Sequence, residues 1–180
     1  HRAEWKGYVA QKNLANSFAS GKWILSIDAD EEVSPELARE IHSALEQEPT
    51  FRAFRFPRKT LYSGKWIRHG GWYPNRLVRL FQKESSRWAG DAVHEYIEVG
   101  GLVGELKNPL IHHSFRGISD QVERNNRYSS LGAEALRKQG IRFSYRKLIW
   151  KPFTKFIETY LLKLGLMDGY LGLVISVSAA

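Results

Sequence analysis

The sequence predicts an α/β fold, and three observations carry that expectation. A helix-compatible stretch runs from Gly7 to Ala19, a short apolar strand follows at Trp23-Ile24-Leu25-Ser26-Ile27, and a second helix opens at Ser34 behind an acidic turn. Helix, strand, turn and helix in that order is an α/β signature.

Each element rests on local chemistry. Tyr8, Leu14, Ala15, Phe18 and Ala19 recur at helical spacing, and Gly21 supplies a stop. The Trp23–Ile27 run is apolar and partly β-branched, as expected of a strand buried on both faces of a largely parallel sheet. Ser34 is a good N-cap, Pro35 suits the first helical position, and Glu36 complements the helix dipole. Leu37, Ile41 and Leu45 give that helix one apolar face, and Pro49 should end it.

Phe51–Phe56 and Arg76–Phe81 alternate apolar with basic residues and read as half-buried strands. Between them lies a glycine loop, His69-Gly70-Gly71-Trp72-Tyr73-Pro74. Ala92 to Val99 reads as a further strand, and Gly100, Gly101 and Gly104 mark a turn. After Ser114 the character changes. Asp120 to Gln139 is polar and helix-compatible, and Arg137 to Lys155 carries seven basic and no acidic side chains. Phe153 to Ala180 is apolar but broken by Lys155, Glu158, Lys163, Asp168 and three glycines. A bilayer span needs about 20 mostly apolar residues, so an interfacial segment fits this stretch better.

The 180 residues, 43% of them hydrophobic, can bury one core. With no cysteine, disulfides, Cys-based metal sites and Cys nucleophiles are excluded. A net charge of +8 points to anionic partners of three kinds: nucleic acid, an anionic membrane or phosphorylated substrates.

Asp28-Ala29-Asp30-Glu31-Glu32 is the strongest local signal, since four carboxylates in five positions repel one another unless cations or solvent separate them. At the end of a strand it occupies the usual ligand-binding edge of an α/β sheet, and hard cations such as Mg²⁺ or Mn²⁺ take few carboxylates and complete their shell with phosphate and water. An EF-hand is excluded because Val33 stands where its loop needs glycine. The string His94-Glu95-Tyr96-Ile97-Glu98 lacks the second histidine of a zincin, but Glu95 facing a cleft would suit a general base. His112 follows an apolar stretch and could complete a metal shell. Trp72, beside Gly70 and Gly71, offers a sugar-stacking face.

Taken in order, these features resemble family 2 glycosyltransferases of the GT-A fold. Gln11-Lys12-Asn13 through Trp23 into Ser26-Ile27-Asp28-Ala29-Asp30-Glu31 is similar to the family's helix, strand and D-x-D motif. Gly70-Gly71-Trp72-Tyr73-Pro74 and then Arg79-Leu80-Phe81 follow, His94-Glu95 falls where the family places its catalytic acid residue, and His112 matches its C-terminal metal histidine. Lys163 to Gly172 is similar to the amphipathic C-terminal region of the branch that adds sugars to the lipopolysaccharide inner core, the β-glucosyltransferase branch.

The resemblance implies a GT-A mixed sheet flanked by helices, lacking the family's first strands before His1, over residues 1–116, with a basic, membrane-associated helical extension over 117–180. It implies single-displacement transfer, with inversion, from a nucleotide diphosphate sugar to a lipid-linked saccharide. Asp28, Asp30 and His112 would hold Mg²⁺ or Mn²⁺, and Lys12 and Asn13, with Asp28 and Asp30, would bind the donor. Glu95 would be the base, and Gly70, Gly71, Trp72 and His94 would meet the acceptor. The expected place is the cytoplasmic face of a bacterial inner membrane, peripherally bound. Two other classes compete: a non-catalytic membrane-associated protein and a basic nucleic-acid-binding module. Nucleic acid is the less expected partner, because the acidic cluster sits badly against phosphate without a metal and no zinc-finger or RNP-type motif is present.

Overall fold

The computed structural model describes residues 4–47, 50–90, 95–141 and 143–180, without the side chain of Lys147. In chain order the elements are α1 (Tyr8–Phe18), β1 (Trp23–Leu25), β2 (Glu31–Val33), α2 (Pro35–Glu46), β3 (Ala53–Tyr62), β4 (Lys65–Ile67) and β5 (Asn75–Gln82). They continue with β6 (Ser86–Gly90), β7 (Glu95–Val99), β8 (Val103–Glu105), β9 (Leu110–His113), α3 (Ile118–Lys138), α4 (Tyr145–Phe156) and α5 (Tyr170–Ala179). A π-helical turn at Ile157–Leu162 and a 3-10 turn at Gly165–Asp168 lead from α4 to α5. Pro49 and the start of the strand expected at Ala92 lie outside the described residues. The chain divides into two compact units: His1–Pro57 with Arg76–Leu110, and Arg58–Asn75 with Ile111–Ala180.

In the first unit α2 begins as its sequence dictates. The Ser34 hydroxyl accepts the Leu37 N–H at 3.2 Å and donates to the Pro109 carbonyl at 3.0 Å, so the cap also ties the helix to the segment before β9. Leu37 is fully buried and packs with Phe54, Phe56, Leu80, Leu106 and Leu110, with Ile41 and Leu45 beside them. A second cluster joins Ala53, Phe81, Trp88 and Ile97. β8 runs parallel to the start of β3, pairing Ala53 with Val103, whereas β1 is antiparallel to β5, pairing Trp23 with Gln82 and Leu25 with Leu80. The sheet is therefore mixed, as a GT-A type fold requires. Gly104 is fixed by space, because a Cβ there would meet the Phe54 ring at 2.7 Å.

One expectation is corrected here. β1 is three residues long, half-buried, antiparallel to its neighbour and last in the order β1-β5-β3, not a strand buried on both faces of a parallel sheet. An apolar run reads alike whichever way its partner points, and that partner, β5, lies far along the chain. Glu31–Val33, expected as part of an acidic turn, forms the short strand β2.

In the second unit the latter half of β3 turns into β4 through Ser63 and Gly64, both with positive φ (47° and 78°), the backbone of a two-residue type I′ hairpin. Tyr62, Ile67, Leu171 and Ile175 form its core, with Trp72 and Phe115 against them. α3 occupies the stretch expected from Asp120 to Gln139 within two residues at each end. The last helix crosses the 3-10 turn so closely that a Cβ on Gly172 would fall onto the Gly165 carbonyl. Among the described residues no helix is long and apolar enough to cross a membrane.

Candidate active site

The acidic turn leaves β1 and enters β2, and the sheet register decides what lies beneath it. Pairing of Leu25 with Leu80, continued by the Ser26 N–H donating to the Arg79 carbonyl at 2.8 Å, sets Arg79 alongside the turn. Its Nη2 donates to Asp28 Oδ2 at 2.6 Å and to Glu31 Oε1 at 3.0 Å. Glu31 is wholly covered at its side chain and accepts the Asp28 N–H through Oε2 at 2.9 Å. Both bonds leave the one nitrogen, so a single end of the buried guanidinium joins the two carboxylates.

A second cation reaches the same turn from α1. Lys12 Nζ lies 3.7 Å from Asp28 Oδ1 and 2.9 Å from Glu95 Oε2, and 4.1 Å from the centre of the Trp88 ring. Asn13 fixes the helix for this contact: its amide donates to the Trp88 carbonyl and accepts the Trp88 N–H, both at 2.9 Å. Lys12 and Arg79 thus thread three carboxylates, Asp28, Glu31 and Glu95, into one cluster. Glu95 opens β7, held in the β6–β7 ladder opposite Gly90.

Of the residues singled out from the sequence, Lys12, Asp28 and Glu95 meet in this cluster, and Asp30 occupies the turn between β1 and β2. Asn13 orients α1. His94 lies outside the described residues. Gly70, Gly71, Trp72 and His112 belong to the other unit, where Gly71, Trp72 and His112 line one pocket. Among the described residues no group of three or more His, Cys, Asp or Glu side chains is gathered to hold a metal ion. Two carboxylates of the turn still offer the hard oxygen donors that Mg²⁺ or Mn²⁺ prefers, with phosphate and water completing the shell, so the donor chemistry of Asp28 and Asp30 fits such an ion.

The sequence reading passed over Trp88 and named Arg79 and Glu31 only as members of a strand and an acidic run, without pairing them. Their one signal was an arginine in an alternating strand facing a glutamate at the head of another, which becomes legible only once β1 and β5 are in register.

Mixed sheet, acidic turn after an edge strand and a carboxylate on a later strand are the parts of a GT-A type fold. The chain belongs to glycosyl transferase family 2, whose family model matches residues 1–103. It is 30% identical over 184 residues to an uncharacterized glycosyltransferase of Rickettsia typhi, covering 96% of this chain and 63% of the relative. It is 29% identical over 184 residues to one of Rickettsia prowazekii, with the same coverage of 96% and 63%. The lipopolysaccharide core biosynthesis glycosyltransferase LpsC of Rhizobium meliloti is 28% identical over 158 residues, covering 87% of this chain and 58% of that protein. The chain thus spans less than two thirds of the length of these curated relatives.

Proposed function

We propose that the protein transfers a sugar, with inversion, from a nucleotide diphosphate sugar to a lipid-linked saccharide in cell-envelope glycan synthesis, lipopolysaccharide core being the favoured setting. The supporting observation is the bridge of Lys12 between Asp28 and Glu95, which gathers the acidic turn and a second carboxylate at one place. Family membership and the name of the Rhizobium relative support the reaction class and the setting.

In this reading Glu95 accepts the proton of the acceptor hydroxyl as that oxygen attacks C1 of the donor. General-base help of this kind is worth about 10²–10⁴ in rate. Lys12, with Nζ already between the two carboxylates, moves toward the donor diphosphate, the anion it can serve as a point charge. Arg79 keeps the turn in shape by holding Asp28 and Glu31. A divalent ion held by Asp28 and Asp30, when bound, would supply Lewis-acid stabilisation of the charge growing on the diphosphate.

The extension would keep the enzyme at the cytoplasmic membrane face where lipid-linked acceptors reside. α4 exposes Tyr145, Leu148, Ile149, Trp150 and Phe153 beside Arg146 and Lys151, and each basic side chain near an anionic surface contributes about 1 kcal/mol.

Calorimetric titration with UDP and related nucleotides, with and without Mn²⁺, tests the donor site in the wild type, Asp30→Ala and Glu95→Gln. Binding that needs both metal and Asp30, with Glu95→Gln binding normally yet failing to transfer sugar, is the expected result. Absence of binding by every nucleotide diphosphate tried would overturn the reading.

A further inference from the structure

One stretch of the second unit is apolar where water would meet it. Where the π-helical turn passes into the 3-10 turn, Leu161, Leu162, Leu164, Leu166 and Met167 are all exposed, Leu162 by 76% and Met167 by 61%. Only Lys163 and Gly165 stand between them. Trp150 and Phe153 on α4 and Tyr170 at the start of α5 add exposed rings on either side along the chain. Single exposed apolar residues are ordinary, but a run of this density marks an interaction surface.

The run forms a stiff knuckle. Leu164 has a left-handed backbone, with φ of 56°, which a bulky residue keeps only when its surroundings hold it there. The Lys163 N–H donates to the Glu158 carbonyl at 2.8 Å, the Leu164 N–H to the Leu161 carbonyl at 3.1 Å and the Met167 N–H to the Leu164 carbonyl at 2.9 Å. Just beyond the knuckle in the chain, Leu171 and Ile175 are buried in one cluster with Tyr62 and Ile67. An apolar surface already fixed in shape loses little free energy to ordering when it is covered.

The knuckle also holds the glycine loop. Asp168, whose side chain is 7% exposed, accepts the His69 N–H at 2.8 Å and lies 2.9 Å from His69 Nδ1, while the Gly70 N–H donates to the Lys163 carbonyl at 2.8 Å. Trp72, which follows in that loop, stacks on the buried Tyr62 at 6.3 Å between ring centres and 16° between planes.

We propose that this knuckle inserts into the interface of an anionic lipid bilayer, as an apolar anchor separate from the basic face of α4, and so sets the glycine loop at the level of the headgroups. Presenting that loop to a lipid-linked acceptor rests on the transferase reading; the insertion itself does not. Charge names the occupant. Residues 142–167 carry six Lys and Arg and one carboxylate, Glu158, which bridges Lys155 and Lys163. A second copy of the chain would bring the same positive charge against it, whereas anionic lipid offers both opposite charge and hydrocarbon for the leucines. Exposed tryptophan and tyrosine beside an apolar tip suit the boundary between headgroups and acyl chains.

The chain has no cysteine, so Leu162→Cys and Met167→Cys each create a single site for an environment-sensitive fluorophore. On vesicles of phosphatidylcholine and phosphatidylglycerol both labels should become shielded from acrylamide in the water and quenched by nitroxide-bearing lipids. Leu162→Ser with Met167→Ser alters only exposed side chains. It should weaken flotation with these vesicles about thirtyfold, as expected when two large apolar side chains are each partly withdrawn from water, and remove binding to phosphatidylcholine alone. Wild-type binding should persist in part at high salt, where screening removes the contribution of α4. Labels as open to acrylamide on vesicles as in solution, or unchanged flotation of the double serine variant, would overturn the proposal. Sedimentation equilibrium without lipid tests the rival occupant: a wild-type dimer that the double serine variant breaks would give the knuckle to a second copy and overturn it too. UDP binding measured on the same samples separates the two readings: insertion without UDP binding removes the transferase and keeps the anchor, and UDP binding without insertion removes the anchor alone.

Discussion

Replacing Arg79 by methionine removes the guanidinium that joins Asp28 to Glu31, and the structure sets the size of the loss. Arg79 is 6% exposed and the Glu31 side chain is fully covered, at 3.0 Å from Nη2. Taking one partner from a buried ion pair costs about 3–5 kcal/mol. The Asp28 arm of the bridge is 41% exposed on the acid side, so it ranks with surface pairs at about 0–1 kcal/mol. Glu31 keeps the Asp28 N–H after the substitution, which places the expected loss near the lower end, about 3 kcal/mol. With a urea m-value of about 2 kcal/mol/M, the unfolding midpoint should fall by about 1.5 M. The specific control is Glu31→Gln. With a neutral side chain at position 31 the arginine has one buried charge fewer to satisfy, so Arg79→Met should cost about 2 kcal/mol less in that background. A loss under about 1 kcal/mol, or additivity of the two changes within about 0.5 kcal/mol, would refute the view that this pair holds the acidic turn in place.

Other elements give further expectations. Burial pushes the Glu40 carboxyl up, but hydrogen bonds from the Lys107 and Asn108 N–H groups and the Asn108 amide, with the Lys107 charge, outweigh it and hold it below the usual glutamate value. Its contribution is therefore present above the unfolded-state value and lost as pH falls through the folded one. Glu40→Ala should cost about 1–2 kcal/mol at pH 7 and distinctly less at pH 3 in urea titrations; an equal cost at both would contradict the assignment. Asp168→Ala should speed hydrogen exchange at the Arg68 and His69 amides by tenfold or more, since both donate to that carboxylate, and unchanged exchange would show the loop to be held otherwise. Arg146→Gln with Lys151→Gln should weaken sedimentation with anionic vesicles by about thirtyfold, from about 1 kcal/mol per charge, with little change on neutral vesicles; undiminished binding would leave α4 a solvated helix.

Where structure is set by neighbours in sequence, the chain was readable. The Ser34-Pro35-Glu36 start of α2 and the helical spacing of α1 are local signals, and both helices lie where they were expected. Asp28 and Glu95, which the resemblance puts in one site, lie on either side of Lys12 Nζ, a meeting that depends on the fold and not on neighbours in sequence. The direction of β1 was not legible, since it depends on β5. Arg79 was hidden for the same reason: in Arg76-Leu77-Val78-Arg79 an arginine reads as solvent-facing, and only the register with β1 buries it against Glu31. Asn13 carried a side chain suited to a ligand, yet its amide is engaged by the backbone of Trp88, a partner 75 residues away.

The anchoring of the glycine loop by Lys163 and Asp168 bears on how the chain can be shortened. A truncation ending before Lys163 would look conservative, since it keeps every strand among the described residues, with α3 and α4. It would nonetheless delete the acceptors of three successive backbone N–H groups, at Arg68, His69 and Gly70. Gly70 and Gly71, with φ of 66° and 81°, sit in a region that glycine enters freely and leaves as freely, so the released loop would sample many shapes and Trp72 would lose its fixed position. The C-terminal segment is thus a wall of the unit and no detachable tail, and any shortened form made for crystallisation or engineering should retain it whole.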